Sequence, residues 1–362
     1  MKNYLRNPHL DNDLLPADIV LAPDWWHRHA GIVFDEDFYY NPARRVEAER
    51  RMEQTLHDRW GQFGLGADCK RNLPLVGPTH LAAGYLLSEM LGCKVIYKPD
   101  TPPQVVPAGK EDLRLDVDAA FESPAFKRFE NLLEQLKTRH GGLAGDVNFG
   151  GVLNLALDLR GETLFMDLFD KPDESRAFFS RIAQVIERFV EGIEKQTGSS
   201  SISVNRCVKH IRQPVYLHSE CSHTMISVED YEKFLMDVDM AWSRRHRPYG
   251  IHYCGKAPHR YAETFAKIGE LDFLDAGWGG DIRQLRRHLP RTFLNIRLSP
   301  VELATQSVED IEQTIRRLVS DSDNPYLTGV CCINLDATIP DEKITAVLHT
   351  VQQLRAEYDA IE

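Results

Sequence analysis

His252 and Cys254 place an imidazole nitrogen and a thiol two positions apart in the chain. They close a short apolar run, Tyr249-Gly250-Ile251-His252-Tyr253-Cys254-Gly255, which reads as a buried strand stopped by glycine. Side chains alternate along a strand, so His252 and Cys254 share one face and Tyr253 takes the other. A nitrogen and a thiolate side by side suit zinc, whose protein ligands are His, Cys, Asp and Glu. Two ligands do not complete such a site, so a third is expected from another strand end. The plainer alternative is a core histidine beside a buried thiol.

The elements that must position this pair follow an alternating pattern in the second half of the chain. Strands are predicted at 214–218, 249–254, 272–276, 292–296 and 326–335. Between them lie helical segments opened by capping residues: Ser227-Val228-Glu229-Asp230 to about Arg247, 258–268, 281–288, and Ser307-Val308-Glu309-Asp310 to Val319. Pro340-Asp341-Glu342 opens a last helix to Tyr358. Earlier helices are expected at 43–60, 79–91, 123–140, 150–157 and 173–195, with a short strand at 94–97 and a Gly-rich turn into a strand at 141–148. Repeated βα units mean a parallel sheet covered by helices, and their number favours a single (β/α)8 TIM barrel over residues 1–362. No G-x-G-x-x-G stands at a strand–helix turn and no Gly-Lys-Ser/Thr follows the Gly-rich clusters, which lowers the nucleotide-binding alternatives. Residues 1–40, with Trp25-Trp26 and Phe38-Tyr39-Tyr40, are read as an aromatic N-terminal extension. Such a segment suits a cap over a site, or a clasp at the domain base.

In such barrels chemistry gathers at the C-terminal ends of the strands. Those ends carry His218, Glu220, Cys221 and His223; His252 and Cys254; Asp275; Asn295 and Arg297; and Cys331-Cys332 before Asp336. Neighbouring Cys331 and Cys332 face opposite ways, so one of them reaches the lumen. Cys69, Cys93 and Cys207 stand alone and are expected to be structural. Formal net charge is −11, from 43 basic and 54 acidic residues, which argues against nucleic acid as a partner. No stretch approaches the roughly 20 apolar residues of a membrane helix. Seven cysteines without an apolar leader point to free thiols in a reducing compartment, the cytoplasm.

The chain resembles the uroporphyrinogen decarboxylase-like superfamily, and within it the zinc-dependent methylcobalamin:thiol methyltransferases of the coenzyme M type. The resemblance runs from about Pro23 onward, through Arg28 and Ala30-Gly31, Gly145-Asp146 and Leu159-Arg160-Gly161. It continues through Ile226-Ser227, His252-Tyr253-Cys254-Gly255, Asn295-Ile296 and Ile339-Pro340. It implies a (β/α)8 barrel and a zinc held by His252, Cys254 and a cysteine of the last strand, here Cys331. If Ile339-Pro340 sets the register instead, the third ligand falls near Asp336, and Asp336, Glu220 or Cys221 completes the site.

The resemblance further implies transfer of a methyl group from methylcobalamin, carried by a corrinoid protein, to a zinc-activated thiol or similar small acceptor. His252, Cys254, Glu220 and Asp275 are then the expected catalytic group, with His218, Glu220 and Asp275 orienting the ligands. Substrate contacts are expected from Trp26, Arg28, His29, His218, Tyr253, Trp278 and Asn295. A homodimer is left open. Two other readings compete: a metal-free lyase binding a carboxylated substrate through Arg28, His252 and Asp275, and a non-catalytic barrel that binds a corrinoid or folate-like ligand.

Overall fold

The computed structural model describes residues 4–67, 75–76, 85–145, 149–198 and 211–360. Its strands are β1 (Ala17–Leu21), β2 (Leu75–Val76), β3 (Lys94–Ile96), β4 (Gln104–Val106) and β5 (Ala144–Gly145). They continue with β6 (Tyr216–Glu220), β7 (Tyr249–Tyr253), β8 (Phe273–Ala276), β9 (Phe293–Leu298) and β10 (Thr328–Leu335). Six form one parallel sheet in the order β1-β10-β9-β8-β7-β6, β2 and β5 form a second parallel ladder, and β3 and β4 an antiparallel hairpin. With helices between successive strands of the large sheet, the architecture is TIM-barrel-like.

Strands β6 to β9 are buried along their whole length, which is why they read as apolar runs rather than alternating ones. The helices start where capping chemistry allows. Ser123, Ser227, Asp281, Ser299 and Ser307 each accept a hydrogen bond from a backbone N–H of the first turn. Pro42 opens the helix Pro42–Trp60 at a position where no N–H is needed.

Three features depart from the expectations. The first forty residues are not a separate cap. Ala17–Leu21 is the edge strand of the large sheet, in register with β10 from Ala17 opposite Val330. Trp25 and Trp26 are fully buried, edge to face at 5.1 Å, in an apolar cluster shared with helices Pro42–Trp60 and Asp341–Asp359. Local aromatic density hid the five-residue strand before it. The helix expected over 227–247 is divided at Leu235, whose φ of −121° breaks the helical path. Strand β6 ends at Glu220 rather than His218. The start of the helix expected at 79–91, Asp146 to Asn148, the loop at 199–201, and Cys69 and Cys207 lie outside the described residues. Among the described residues, no helix is long and apolar enough to cross a membrane.

Two glycines let the strand ends converge. A Cβ on Gly277, just after β8, would lie 1.7 Å from the carbonyl oxygen of Gly255, just after β7. A Cβ on Gly255 would in turn lie 1.8 Å from Thr224 Cγ2, in the turn that follows β6. No rotamer relieves a clash with backbone, so Gly277→Ala must push the segment after Cys254 aside. We expect a loss of about 1–3 kcal/mol in stability, measured as a lower urea midpoint with unchanged slope. An unchanged midpoint would mean that these two loops slide freely past each other.

Candidate metal centre

The sheet register builds the centre. His252 on β7 lies opposite Asp275 on β8, which lies opposite Asn295 on β9, which lies opposite Gly329 on β10. Aligned residues of neighbouring strands point to the same face, so this row faces the interior together. Two residues further along each strand, on that same face, come Cys254, Arg297 and Cys331. The small residue in the row has a reason: a Cβ on Gly329 would lie 3.0 Å from Asn295 Oδ1.

Cys221 enters from the neighbouring strand end. Its neighbours are both tied to the N-terminus of helix Val152–Arg160. Glu220 accepts from the Leu153 N–H at 2.7 Å and the Ser222 N–H at 3.1 Å. Asn154 Oδ1 accepts from the Ser222 N–H at 2.9 Å and its hydroxyl at 2.5 Å. His218, held through Nδ1 by Asp239 at 2.7 Å, accepts from the Val152 N–H at 3.2 Å through Nε2. Gly151 permits this docking, since a Cβ there would lie 2.5 Å from Glu220 Oε2.

The outcome is a triad: one ligand atom each of Cys221, His252 and Cys254 lies within 4.8 Å of the others. Bonds of 2.0–2.3 Å in tetrahedral geometry separate ligand atoms by roughly 3.4–3.8 Å, so the three atoms need little movement to enclose zinc. His252 is prepared for this. Its Nδ1 is hydrogen-bonded to the Asp275 carboxylate, while its buried Nε2 has no hydrogen-bond partner. A carboxylate on Nδ1 fixes the tautomer that leaves the Nε2 lone pair available to a metal. Asp275 is itself held by Arg297 Nη2 and Asn295 Nδ2, each at 3.1 Å. Arg297 Nη1 also reaches Cys254 Sγ at 3.4 Å.

These contacts set the charge states. Burial alone would raise the Asp275 pKa, but Arg297 and His252 overcome it and hold the carboxyl below its ordinary range. Cys254 is pushed down by the hydrogen bond from Cys221 and then by His252 and Arg297, against its burial. Cys221, the donor to that thiolate and half-buried, is pushed up by that hydrogen bond and by desolvation. Glu220 is raised by burial, which outweighs His218 and the two N–H groups it accepts from.

The centre opens onto a cleft of about 570 Å³. One wall is helix Val152–Arg160, another the β3–β4 hairpin, which presents Pro103, Val105 and Pro107. Backbone hydrogen bonds from Ala108 to Asp158 and from Lys110 to Leu159 join the two walls.

The residues singled out in the sequence sort into three groups. His252, Cys254, Asp275 and Asn295 meet at the centre. Cys331 does not join the triad: it is buried on β10, three strands from His252, with Asn295 Nδ2 3.3 Å from its sulfur, and the alternative Cys221 lies in the triad instead. Glu220 and His218 serve the helix N-terminus, with Glu220 Oε2 accepting from Leu153 N–H there and Oε1 from Ser222 N–H in its own turn. The remainder lie away from the cleft lining. Trp26 is core, and Arg28 and His29 are exposed on the helix Pro23–Ala30. Tyr253 points away and donates to the Lys256 carbonyl. Trp278 lines a separate cavity of about 110 Å³. Asp336 is exposed and accepts from the N–H and hydroxyl of Thr338. Arg297 was visible as a strand-end residue without a role; its two-residue spacing from Asn295 was the signal for one. Asn154 and Asp158 had no local signal.

Residues 83–354 match the uroporphyrinogen decarboxylase (URO-D) family, and the chain belongs to that family. No curated protein matches it in sequence. Among solved structures it is similar to a methyltransferase from Methanosarcina mazei, with a TM-score of 0.66 and 13% identity over 95% of each chain. It is also similar to a B12-independent methionine synthase from Shewanella sp. W3-18-1 in complex with selenomethionine, with a TM-score of 0.50 and 10% identity over 96% of this chain and 100% of that one. At these identities the likeness is one of fold.

The thiol asymmetry can be read by alkylation. In metal-free protein at pH 6.5, iodoacetamide is expected to modify Cys254 before Cys221, with Cys331 and Cys332 protected by burial. Peptide mass spectrometry over a time course measures the order. Cys221 reacting first would reverse the assignment of the thiolate.

Proposed function

We propose that the protein is a zinc-dependent methyltransferase of the URO-D family that activates a thiol acceptor. The observation that carries this reading is the triad Cys221, His252 and Cys254 with an unpartnered Nε2, held by Asp275 and facing a cleft. Two thiolates and an imidazole are a donor set for zinc rather than for magnesium or calcium. Three protein ligands leave the fourth position to a reactant, as in catalytic rather than structural zinc sites.

Bound there, zinc would supply Lewis acidity that keeps a substrate thiol deprotonated at neutral pH. The chain's own residues do the rest. Asp275 holds the His252 tautomer and orientation. Arg297 offsets the negative charge that two thiolates and a carboxylate bring into a buried site. Asn154 and Glu220 fix the turn bearing Cys221. Phe149, Leu157 and Ile333 line the cleft with apolar surface, which limits hydration of a nucleophilic sulfur. The donor in this reading is methylcobalamin presented by a corrinoid protein, which docks over the open side of the cleft. The metal-free lyase reading has less support, because Arg28 is exposed away from the cleft lining.

Metal content by elemental analysis of anaerobically purified protein tests the proposal. Wild type and Cys331→Ala should hold about one zinc per chain, while Cys221→Ala, His252→Ala and Cys254→Ala lose it. Asp275→Asn should weaken zinc binding by about 10–100-fold. Methylation of thiols from methylcobalamin by the zinc-loaded protein is the activity assay. Wild type without zinc, or zinc lost only with Cys331, would overturn the assignment.

A further inference from the structure

We infer that the cleft selects a substrate whose end remote from the metal centre is cationic, an ammonium-bearing thiol rather than one bearing a sulfonate or carboxylate. The inference rests on the thiol-activating reading above and adds the chemical class of the acceptor.

The wall formed by helix Val152–Arg160 sets the distances. Asn154 marks its near end, bound to Ser222 beside Cys221. Asp158 is one turn further on the same face, about 6 Å along the axis. Glu162 follows after the helix ends, also on the cleft. Asp158 is half-buried, and its Oδ2 accepts from the Ser88 hydroxyl at 2.6 Å, leaving Oδ1 with no partner among the described residues. Burial holds its carboxyl above the usual range against the Ser88 hydrogen bond, a cost that a neighbouring cation relieves. The rings of Tyr85 and Phe149 line the same cleft, and aromatic faces attract ammonium groups.

The rest of the lining points the same way. Among the described residues that line the cleft there is no Lys or Arg. Beyond the triad, the charged side chains there are Asp158 and Glu162. A sulfonate or carboxylate placed one helical turn from the metal centre would meet carboxylates and, among the described residues of the lining, no counter-ion. An ammonium would meet an acceptor oxygen and two rings. A thiol about two to four carbons from its ammonium spans the distance.

Calorimetric titration at 0.15 M salt, where charges beyond about 8 Å are screened, tests the inference with three thiols that differ in their heads. The probes are 2-aminoethanethiol, 2-mercaptoethanol and 2-mercaptoethanesulfonate, applied to zinc-loaded wild type, Asp158→Asn and Glu162→Gln, and to Cys254→Ala, which is expected to hold no zinc. The ammonium thiol should bind at least tenfold more tightly than the sulfonate in wild type. Asp158→Asn should shrink that ratio to under threefold without changing zinc content, and Glu162→Gln should shrink it less. Asn keeps an acceptor for Ser88, and exposed Glu162 supports no core contact, so neither change threatens folding. Equal or tighter binding of the sulfonate, a preference that survives Asp158→Asn, or no binding of the ammonium thiol would each overturn the inference. If the ammonium preference and the affinities persist unchanged in Cys254→Ala, the cationic subsite stands and the thiol-activating reading falls. If thiol binding depends on Cys254 but ignores the head group, the reverse holds.

Discussion

The arrangement depends on one carboxylate. Asp275 accepts from His252 Nδ1, Arg297 Nη2 and Asn295 Nδ2 in a site with no exposure to solvent. A buried charge survives there only because its partners are in place, and removing one partner of such a pair costs about 3–5 kcal/mol. His252 sits on β7 and both Asn295 and Arg297 on β9, flanking Asp275 on β8, so the charge network also ties the register of the three strands. What stabilises the barrel interior and what aims His252 are therefore the same contacts.

A second set of contacts solves a different problem, the placement of Cys221 beyond the end of β6. There no ladder remains to hold the backbone. The chain uses the unsatisfied N–H groups of a helix terminus instead, offering Glu220, His218 and, across Ser222, Asn154. Asp239 stands behind them, accepting from His218, Tyr231 and Tyr249. Buried polar residues that resemble catalytic groups by type are here the carpentry of a strand–helix joint.

Much of this was legible in the sequence, and the limits are physical. The alternating βα pattern gave the parallel sheet, and the two-residue spacing gave the shared face of His252 and Cys254. Which cysteine lies beside His252 and Cys254 was not legible, because Cys221 and Cys331 both follow or occupy predicted strands and only the strand order around the sheet separates them. Cys331 lies level with Cys254 but three strands round the sheet, beyond Asp275 and Asn295; Cys221 lies on the strand end next to Cys254. Glu220 shows a related limit: sequence shows a carboxylate near a mouth but not the helix terminus whose N–H it accepts from. Trp26 was expected to contact substrate, because an aromatic cluster ahead of any periodic segment carries no signal of the strand, Ala17–Leu21, beside which it is buried.

On the proposed reading, the three ligand atoms come from only two adjacent strand ends, β6 and β7, while the cleft walls come from a separate helix and from the β3–β4 hairpin. Reactivity and selectivity thus reside on different pieces of chain. Substitutions at Pro103, Val105, Asp158 or Glu162 can retune which molecules enter without disturbing the ladder that aims His252. On that reading, such a division would let the molecules admitted change at the helix and hairpin walls while the ladder beneath the centre stays as it is.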